Sequence, residues 1–172
     1  PDIFFDNTHV EKKDKINLLA ASWSNNMRKG FKYYEFLDNN LDFSKYNFSF
    51  AGNSPIDFSN IKKLGALNSA QIAEKLRESD VYITASENDP CSNSLIEALT
   101  CKTPVLALRS GGHPELLKND SLLFSDEQEL LNKIKYLQDL DNYKKCKDNI
   151  EVKNIKEVVS EYISFFEDIV RK

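Results

Sequence analysis

The sequence predicts an α/β domain with a parallel sheet and helices on both faces. Three observations carry this. Short apolar runs recur along the chain, each bounded by Gly, Pro, Asn or Ser, as expected of strands buried on both faces. Between them lie stretches with apolar residues at i, i+3, i+4 spacing, as in helices that bury one side. The two kinds alternate, and repeated strand–helix units make a parallel sheet because each crossover returns the chain to the same edge.

Each element follows in order. KINLLAAS (15–22) is an apolar run and reads as a strand. KGFKYYEFLDNNL (29–41) places Tyr33, Tyr34, Leu37 and Leu41 on one helical stripe. YNFSFAG (46–52) is a strand stopped by Gly52 and the turn Asn53-Ser54-Pro55. NIKKLGAL (60–67) is a weaker strand signal. Asn68-Ser69-Ala70-Gln71 has the spacing of a capping box and opens a helix carrying Ile72, Ala73 and Leu76. DVYITAS (80–86) is a strand, a helix runs from about Ser92 to Thr100, and TPVLALR (103–109) is a strand. Gly111-Gly112-His113-Pro114 ends it and starts a short helix, with Pro114 suited to the first helical position. SLLF (121–124) is a last strand, and two or three helices close the chain. In the final one Ile155, Val158, Val159, Tyr162, Ile163, Phe166, Ile169 and Val170 share a face. The division is a lead-in over 1–14, a ligand-binding domain over 15–150 and an amphipathic helix over 151–172.

Composition narrows the function. The chain has 172 residues, 23 basic and 27 acidic, for a net charge of −4. That balance argues against nucleic-acid binding, which shows as a basic excess. No apolar run is long enough to span a membrane, and PDIFFDNTHV lacks the pattern of a signal peptide. Cys91, Cys101 and Cys146 have no CxxC spacing and read as reduced thiols, implying a cytoplasmic protein. The histidines are His9 and His113, too few for a histidine-built metal site.

Ligands of such sheets sit beyond the carboxyl ends of the strands. This groups the loops 22–30, 52–55, 86–93 and 109–114 on one edge. Neither GxGxxG nor GxxxxGK[ST] is present, so no dinucleotide fingerprint or P-loop is expected. The helix start at Ser92, Asn93 and Ser94 offers free amides and small side chains to an anion, with Lys29 and Arg28 as nearby cations. Glu97 has two readings. Ser94-Leu95-Ile96-Glu97 has capping-box spacing, which alone favours a structural role. Alternatively Asp89, a possible turn former before Pro90, and Glu97 line one cleft and accept from the hydroxyls of a ligand.

DPCSNSLIEALTCKTPV (89–105) resembles the donor-site motif of group 1 glycosyltransferases, a retaining family with the GT-B fold: an acidic residue, seven residues, then Glu-Ala-Leu, a small turn and Thr-Pro-Val. KINLLAASWSNNMRKGF, FAGNSP, SDVYITAS and GGHPELL are similar to further family segments in the same order, from Lys15 to Leu123. The resemblance implies a Rossmann-like domain forming one half of a GT-B enzyme, the half that binds a nucleotide-sugar, with UDP as the expected nucleotide. Glu97 would accept from the ribose, Asp89 from the donor sugar, and Lys29 would neutralise the diphosphate at the amides of Asn93 and Ser94. Gly65, Ala66 and Leu67 would lie along the base. Gly111 and Gly112 would allow close approach beside the sugar, with Glu115 starting the helix behind them. No cofactor or metal is expected, protein cations taking the metal's place. The sequence departs from the family at Ser24, where Arg is usual, at Asp89, where Glu is common, and at Lys102, where Gly is usual.

The resemblance covers only the donor half. The expected partners are a nucleotide-sugar, a separate N-terminal acceptor domain reached by the final helix, and an acceptor glycan, lipid or protein. Any membrane contact would run through that other domain. Lys- and Asn-rich usage fits a low-GC bacterium making a polysaccharide. A nucleotide-sugar epimerase half and a non-catalytic assembly module are the alternatives. Among smaller signals, Asp139-Leu140-Asp141 matches DxD but reads as a solvated helix end. His113 reads as a loop residue near the sugar, or as an acid or base. Trp23 reads as packing, or as a platform for a ring. Cys91 lacks a base beside it, and Lys62-Lys63 and Lys144-Lys145 read as solvated faces.

Overall fold

The computed structural model describes residues 3–5, 14–153 and 155–171. Six strands form one parallel sheet: β1 (Ile16–Ser22), β2 (Tyr46–Gly52), β3 (Lys62–Gly65), β4 (Val81–Thr84), β5 (Val105–Leu108) and β6 (Leu123–Phe124). Their spatial order is β3-β2-β1-β4-β5-β6. β1 is central, pairing with β2 from Ile16↔Tyr46 to Ser22↔Gly52 and with β4 at Leu18↔Val81 and Leu19↔Tyr82. The chain therefore runs outward in one direction to β3, then returns and runs outward in the other. The reversal leaves a crevice between the carboxyl ends of β1 and β4, where such sheets bind ligands.

The helices are α1 (Phe31–Asn40), α2 (Ser69–Glu78), α3 (Asn93–Thr100), α4 (His113–Leu117), α5 (Glu127–Tyr136), α6 (Leu140–Asp148) and α7 (Ile155–Val170). One side of the sheet buries Leu18, Phe48, Phe50 and Ile83 against the α1 stripe of Tyr33, Tyr34, Leu37 and Leu41 and against Leu130 and Ile134 of α5. The other buries Leu19, Tyr82, Val105 and Ala107 against Ile72 and Leu76 of α2 and Leu95, Ala98 and Leu99 of α3. Alternate residues of β1 and β4 thus serve opposite layers, which is why the strands are apolar throughout.

Local chemistry sets the helix starts. Asn68 and Gln71 form the expected capping box at α2, Asn68 N donating to Gln71 Oε1 at 2.9 Å and Gln71 N to Asn68 Oδ1 at 3.0 Å. Asp126 caps α5, and Asp139 caps α6 by accepting from Asn142 N at 3.0 Å. The DxD signal is therefore a helix cap. Pro114 occupies the second position of α4, one later than expected, because the helix opens at His113.

Asp38 on α1 is buried and accepts from three amides of the loop before β3: Ser59 at 2.7 Å, Asn60 at 2.8 Å and Ile61 at 2.7 Å. Lys102 adopts a left-handed conformation, φ 56°, as the glycine expected there would. Its Nζ turns inward to the Ile150 carbonyl at 2.6 Å, rather than lying free on the surface. Of the lead-in, Phe4 packs on the second core layer, and Arg77 of α2 donates to the Ile3 carbonyl at 3.0 Å and stacks over Phe5. The rest of that segment, His9 included, lies outside the described residues. α7 has no buried residue. Ile155, Tyr162, Ile163, Phe165, Phe166 and Val170 all stand exposed on it. Among the described residues no helix is long and apolar enough to cross a membrane.

Candidate functional site

The crevice is walled by the loops after β1 and β4. The first ends in a single 3-10 turn, Met27–Lys29, capped by Asn26 and closed by Gly30 at φ 81°. A Cβ at Gly30 would collide with the Ala85 carbonyl, so only glycine lets this loop lie against the end of β4. Glu87 N donates to the Arg28 carbonyl at 2.7 Å, joining the two loops further, and Ala85 N donates to the Tyr34 hydroxyl of α1 at 3.2 Å. This contact brings Lys29 Nζ to 3.3 Å from Asp89 Oδ2. Two residues sixty positions apart thus form an ion pair across the crevice. Arg28 is exposed beside them, its side chain unpaired among the described residues.

α3 begins on the same edge. Ser92 is its N-cap yet makes no side-chain capping bond; its Oγ lies 3.3 Å from Ser94 Oγ. Among the described residues the amides of Asn93 and Ser94 therefore remain free, at a helix end that carries partial positive charge. α1 and α4 also lack side-chain caps, whereas α2, α5 and α6 have them, α2 and α5 although they too start on this edge.

Glu97 is not a capping residue. The N-cap is Ser92, so Glu97 is the fifth residue of α3, beyond reach of the cap amide. The capping-box reading fails because the helix starts two residues earlier than that reading requires. Glu97 is half-buried, and among the described residues its carboxylate forms no hydrogen bond or ion pair. Burial pushes its carboxyl above the usual carboxylate range. Beneath it Tyr82 is buried with no well-formed hydrogen bond to its hydroxyl. Burial, with smaller contributions from Glu97 and Asp89, raises that phenol to about 12.

The glycine loop after β5 approaches the chain itself. A Cβ at Gly111, φ 56°, would strike the Asp89 carbonyl, and one at Gly112 would strike the Pro90 carbonyl. Gly112 N donates to Asp89 O at 2.9 Å and Asn88 N to Ser110 Oγ at 2.9 Å. Within the chain itself, the close approach these glycines permit is to the backbone of residues 89 and 90. His113 is fully buried as the first residue of α4, not a loop residue. Trp23 is 52% exposed at the end of β1, not packed in the core. Gly65, Ala66 and Leu67 follow β3 on the same edge, with nothing within 4 Å of a Cβ built on Gly65.

The structure therefore gathers Lys29, Asp89, Ser92, Asn93, Ser94, Gly111 and Gly112 around the crevice, with Arg28 at its rim, Glu97 one turn into α3 and residues 65–67 at the far end of the edge. Among the described residues, no group of three or more His, Cys, Asp or Glu is placed to hold a metal. Cys91 is exposed and unpaired. Two features escaped the sequence reading. Asp38 interrupts an apolar stripe, four residues from Tyr34 and one from Leu37, and a lone acid there signals a buried acceptor. Tyr82 reads only as core in an apolar strand, and no sequence signal marks its hydroxyl.

Comparison with known proteins bears on the family and the fold. The family described as glycosyl transferases group 1 matches residues 59–153, more than half of the chain. A search of curated proteins found no match. Among solved structures, the C-terminal domain of a group 1 glycosyl transferase (LpcC) from Francisella tularensis superposes with a TM-score of 0.69 at 19% identity, over 93% of this chain and 96% of that one. A glycosyltransferase from Rickettsia africae ESF-5 gives 0.70 at 18%, over 94% of this chain and 49% of that one. The pneumococcal O-GlcNAc transferase GtfA, solved with UDP and GlcNAc, gives 0.71 at 15%, over 98% of this chain and 38% of that one. The chain thus spans half or less of the latter two, and at these identities the likeness is one of fold.

Proposed function

The chain belongs to the group 1 glycosyltransferases, and from that premise we propose that it is the donor-binding half of a retaining enzyme, holding a nucleotide-sugar in the crevice between β1 and β4. One observation carries this most. At a single sheet edge, the uncapped start of α3 lies between a lysine–aspartate pair and a half-buried glutamate with no partner among the described residues. Free helix amides and a lysine suit a diphosphate. Two carboxylates on either side suit hydroxyl donors, the ribose at Glu97 and the sugar at Asp89.

Transfer would follow from the same groups. As the glycosidic bond breaks, negative charge grows on the departing diphosphate. The amides of Asn93 and Ser94 are fixed at the helix start and need little reorganisation to meet that charge, while Lys29, on leaving Asp89, and Arg28 would add the cations. Ser24 is uncharged and turned into its own loop, accepting from Asn26 N at 3.1 Å, so cationic help falls to Lys29 and Arg28. A uridine nucleotide is the favoured donor, supported by the UDP in the pneumococcal structure. A second, acceptor-binding domain would complete the active site, in keeping with the length of the larger relatives.

Thermal unfolding with UDP, GDP, ADP and TDP tests the reading. Ligand at a hundred times its dissociation constant stabilises by about 2.7 kcal/mol, a melting shift of several degrees for a chain of this size. A shift with one nucleotide that is lost in Glu97→Ala is expected. No shift with any of the four would sink the proposal.

A further inference from the structure

We propose that His113 is a positioning residue for Asp89, taking up a proton at Nε2 when Lys29 leaves that carboxylate for an anionic ligand. The argument begins with the imidazole's own bonds. Nδ1 lies 2.8 Å from the Leu108 carbonyl. A carbonyl only accepts, so Nδ1 carries the hydrogen and the neutral ring presents a lone pair at Nε2. That atom is buried and, among the described residues, has no hydrogen-bond partner. A fully buried histidine with one nitrogen anchored and the other idle calls for an explanation.

Its neighbours supply one. The glycine loop that leads into His113 and α4 is pressed onto the backbone of Asp89 and Pro90. The charged groups that act on the ring are Asp89, from the loop after β4, and Lys29, from the turn after β1. Burial holds the imidazole below its ordinary value, Asp89 favours the cation and Lys29 opposes it. In the free protein Lys29 and Asp89 neutralise each other, and the ring stays neutral.

A nucleoside diphosphate changes that balance. This step rests on the donor-site reading given above. Lys29 turns to the phosphates and leaves Asp89 without its cation. An additional negative charge enters the crevice at the same time. Both changes favour the imidazolium. A proton from solvent then binds Nε2, forming one N–H bond and breaking none within the protein. The cation replaces Lys29 as the counter-charge of Asp89 and holds the carboxylate where sugar hydroxyls meet it.

The test is an NMR titration of the 172-residue chain carrying His9→Gln, which leaves His113 as the only imidazole. In the free protein His113 should titrate below the usual histidine range. Lys29→Met should move that titration upward without any ligand, and UDP should move it upward in the protein that keeps Lys29. An unchanged titration in Lys29→Met overturns the proposal, whether or not nucleotide binds. If Lys29→Met moves the titration while UDP neither binds nor shifts the melting temperature, the linkage stands and the donor-site reading fails. If UDP binds and the titration stays in place, the linkage fails and the donor site stands.

Discussion

Lys29 Nζ and Asp89 Oδ2 lie 3.3 Å apart across the crevice, joining the loop after β1 to the loop after β4. The lysine side chain is 37% exposed, so the pair adds little to stability, roughly 0–1 kcal/mol. On the proposed donor-site reading its consequence is competition, because a diphosphate would have to win Lys29 from Asp89. Asp89→Asn frees the lysine. UDP should bind this variant a few-fold more tightly by calorimetry, with the melting temperature nearly unchanged. Lys29→Met should instead lose at least tenfold. Equal affinity in all three proteins would show that this lysine takes no part in binding.

Glu97 couples stability to pH in a definite direction. Burial raises its carboxyl above the ordinary value of 4.5 in the folded state. The fold therefore favours the protonated form. That contribution is fully present below about 4.5 and is lost as pH rises through the folded value. At neutral pH the charged form is held in a half-buried place without a partner. Glu97→Gln should melt higher than the parent at pH 7 and equally at pH 4. The same variant should bind UDP about ten- to a hundredfold more weakly, the loss of a charge-assisted hydrogen bond of roughly 1.5–3 kcal/mol. A melting temperature at pH 7 that falls in Glu97→Gln would point to a structural role.

Asp38 is an anchor remote from the crevice. Its carboxylate accepts from the amides of Ser59, Asn60 and Ile61, and Asn60 Nδ2 donates to its carbonyl at 2.9 Å. Asp38→Ala leaves these amides without their acceptor, and should destabilise the domain by roughly 2–4 kcal/mol in urea unfolding. Asp38→Asn should recover part of the loss, since the amide oxygen still accepts. A loss below 0.5 kcal/mol would mean that water replaces the carboxylate freely, by the usual scale for surface changes.

Gly111 tests whether the glycine loop holds Asp89. Its φ is 56° and a Cβ would meet the Asp89 carbonyl. Gly111→Ala should therefore displace the loop from residues 89 and 90. Weaker UDP binding with only a small fall in melting temperature is expected, because the strain falls on the crevice rather than the core. Unaltered binding would show that Asp89 keeps its place without this contact.

α7 offers the opposite case. Phe166 is 58% exposed on a helix with no buried residue. Phe166→Ser should change the stability of the chain by no more than about 0.5 kcal/mol. A larger loss would mean that the helix packs onto the domain in solution.

The strand and helix order was legible because periodicity is a local property. β1, α1, β2 and the capping box at Asn68 are each written in a few neighbouring residues, and the parallel sheet follows from their alternation. The polar residues of the crevice were legible too, but only as residue types on loops of one edge. The helix start at Ser92 was expected, yet Glu97 also carried a capping-box pattern from Ser94. Spacing alone cannot say which of two nearby serines is the cap. That depends on where the chain leaves β4 and turns into α3, which packing of Leu95, Ala98 and Leu99 on the sheet decides.

Other relationships exist only once the chain is folded. Lys29 meets Asp89 because the sheet reverses between β1 and β4 and Gly30 fits against Ala85. His113 reads as a loop residue, but the pressing of Gly111 and Gly112 onto residues 89 and 90 buries it. Trp23 reads as packing, but β1 ends at the edge and leaves it exposed. The sequence by itself determined the elements, their order and the polar residues at one edge, because those depend on neighbours in the chain. The tertiary structure alone decided which charges pair, which polar atoms lose water and which helix ends stay open. Those depend on distances between residues tens of positions apart, and such distances arise only from packing.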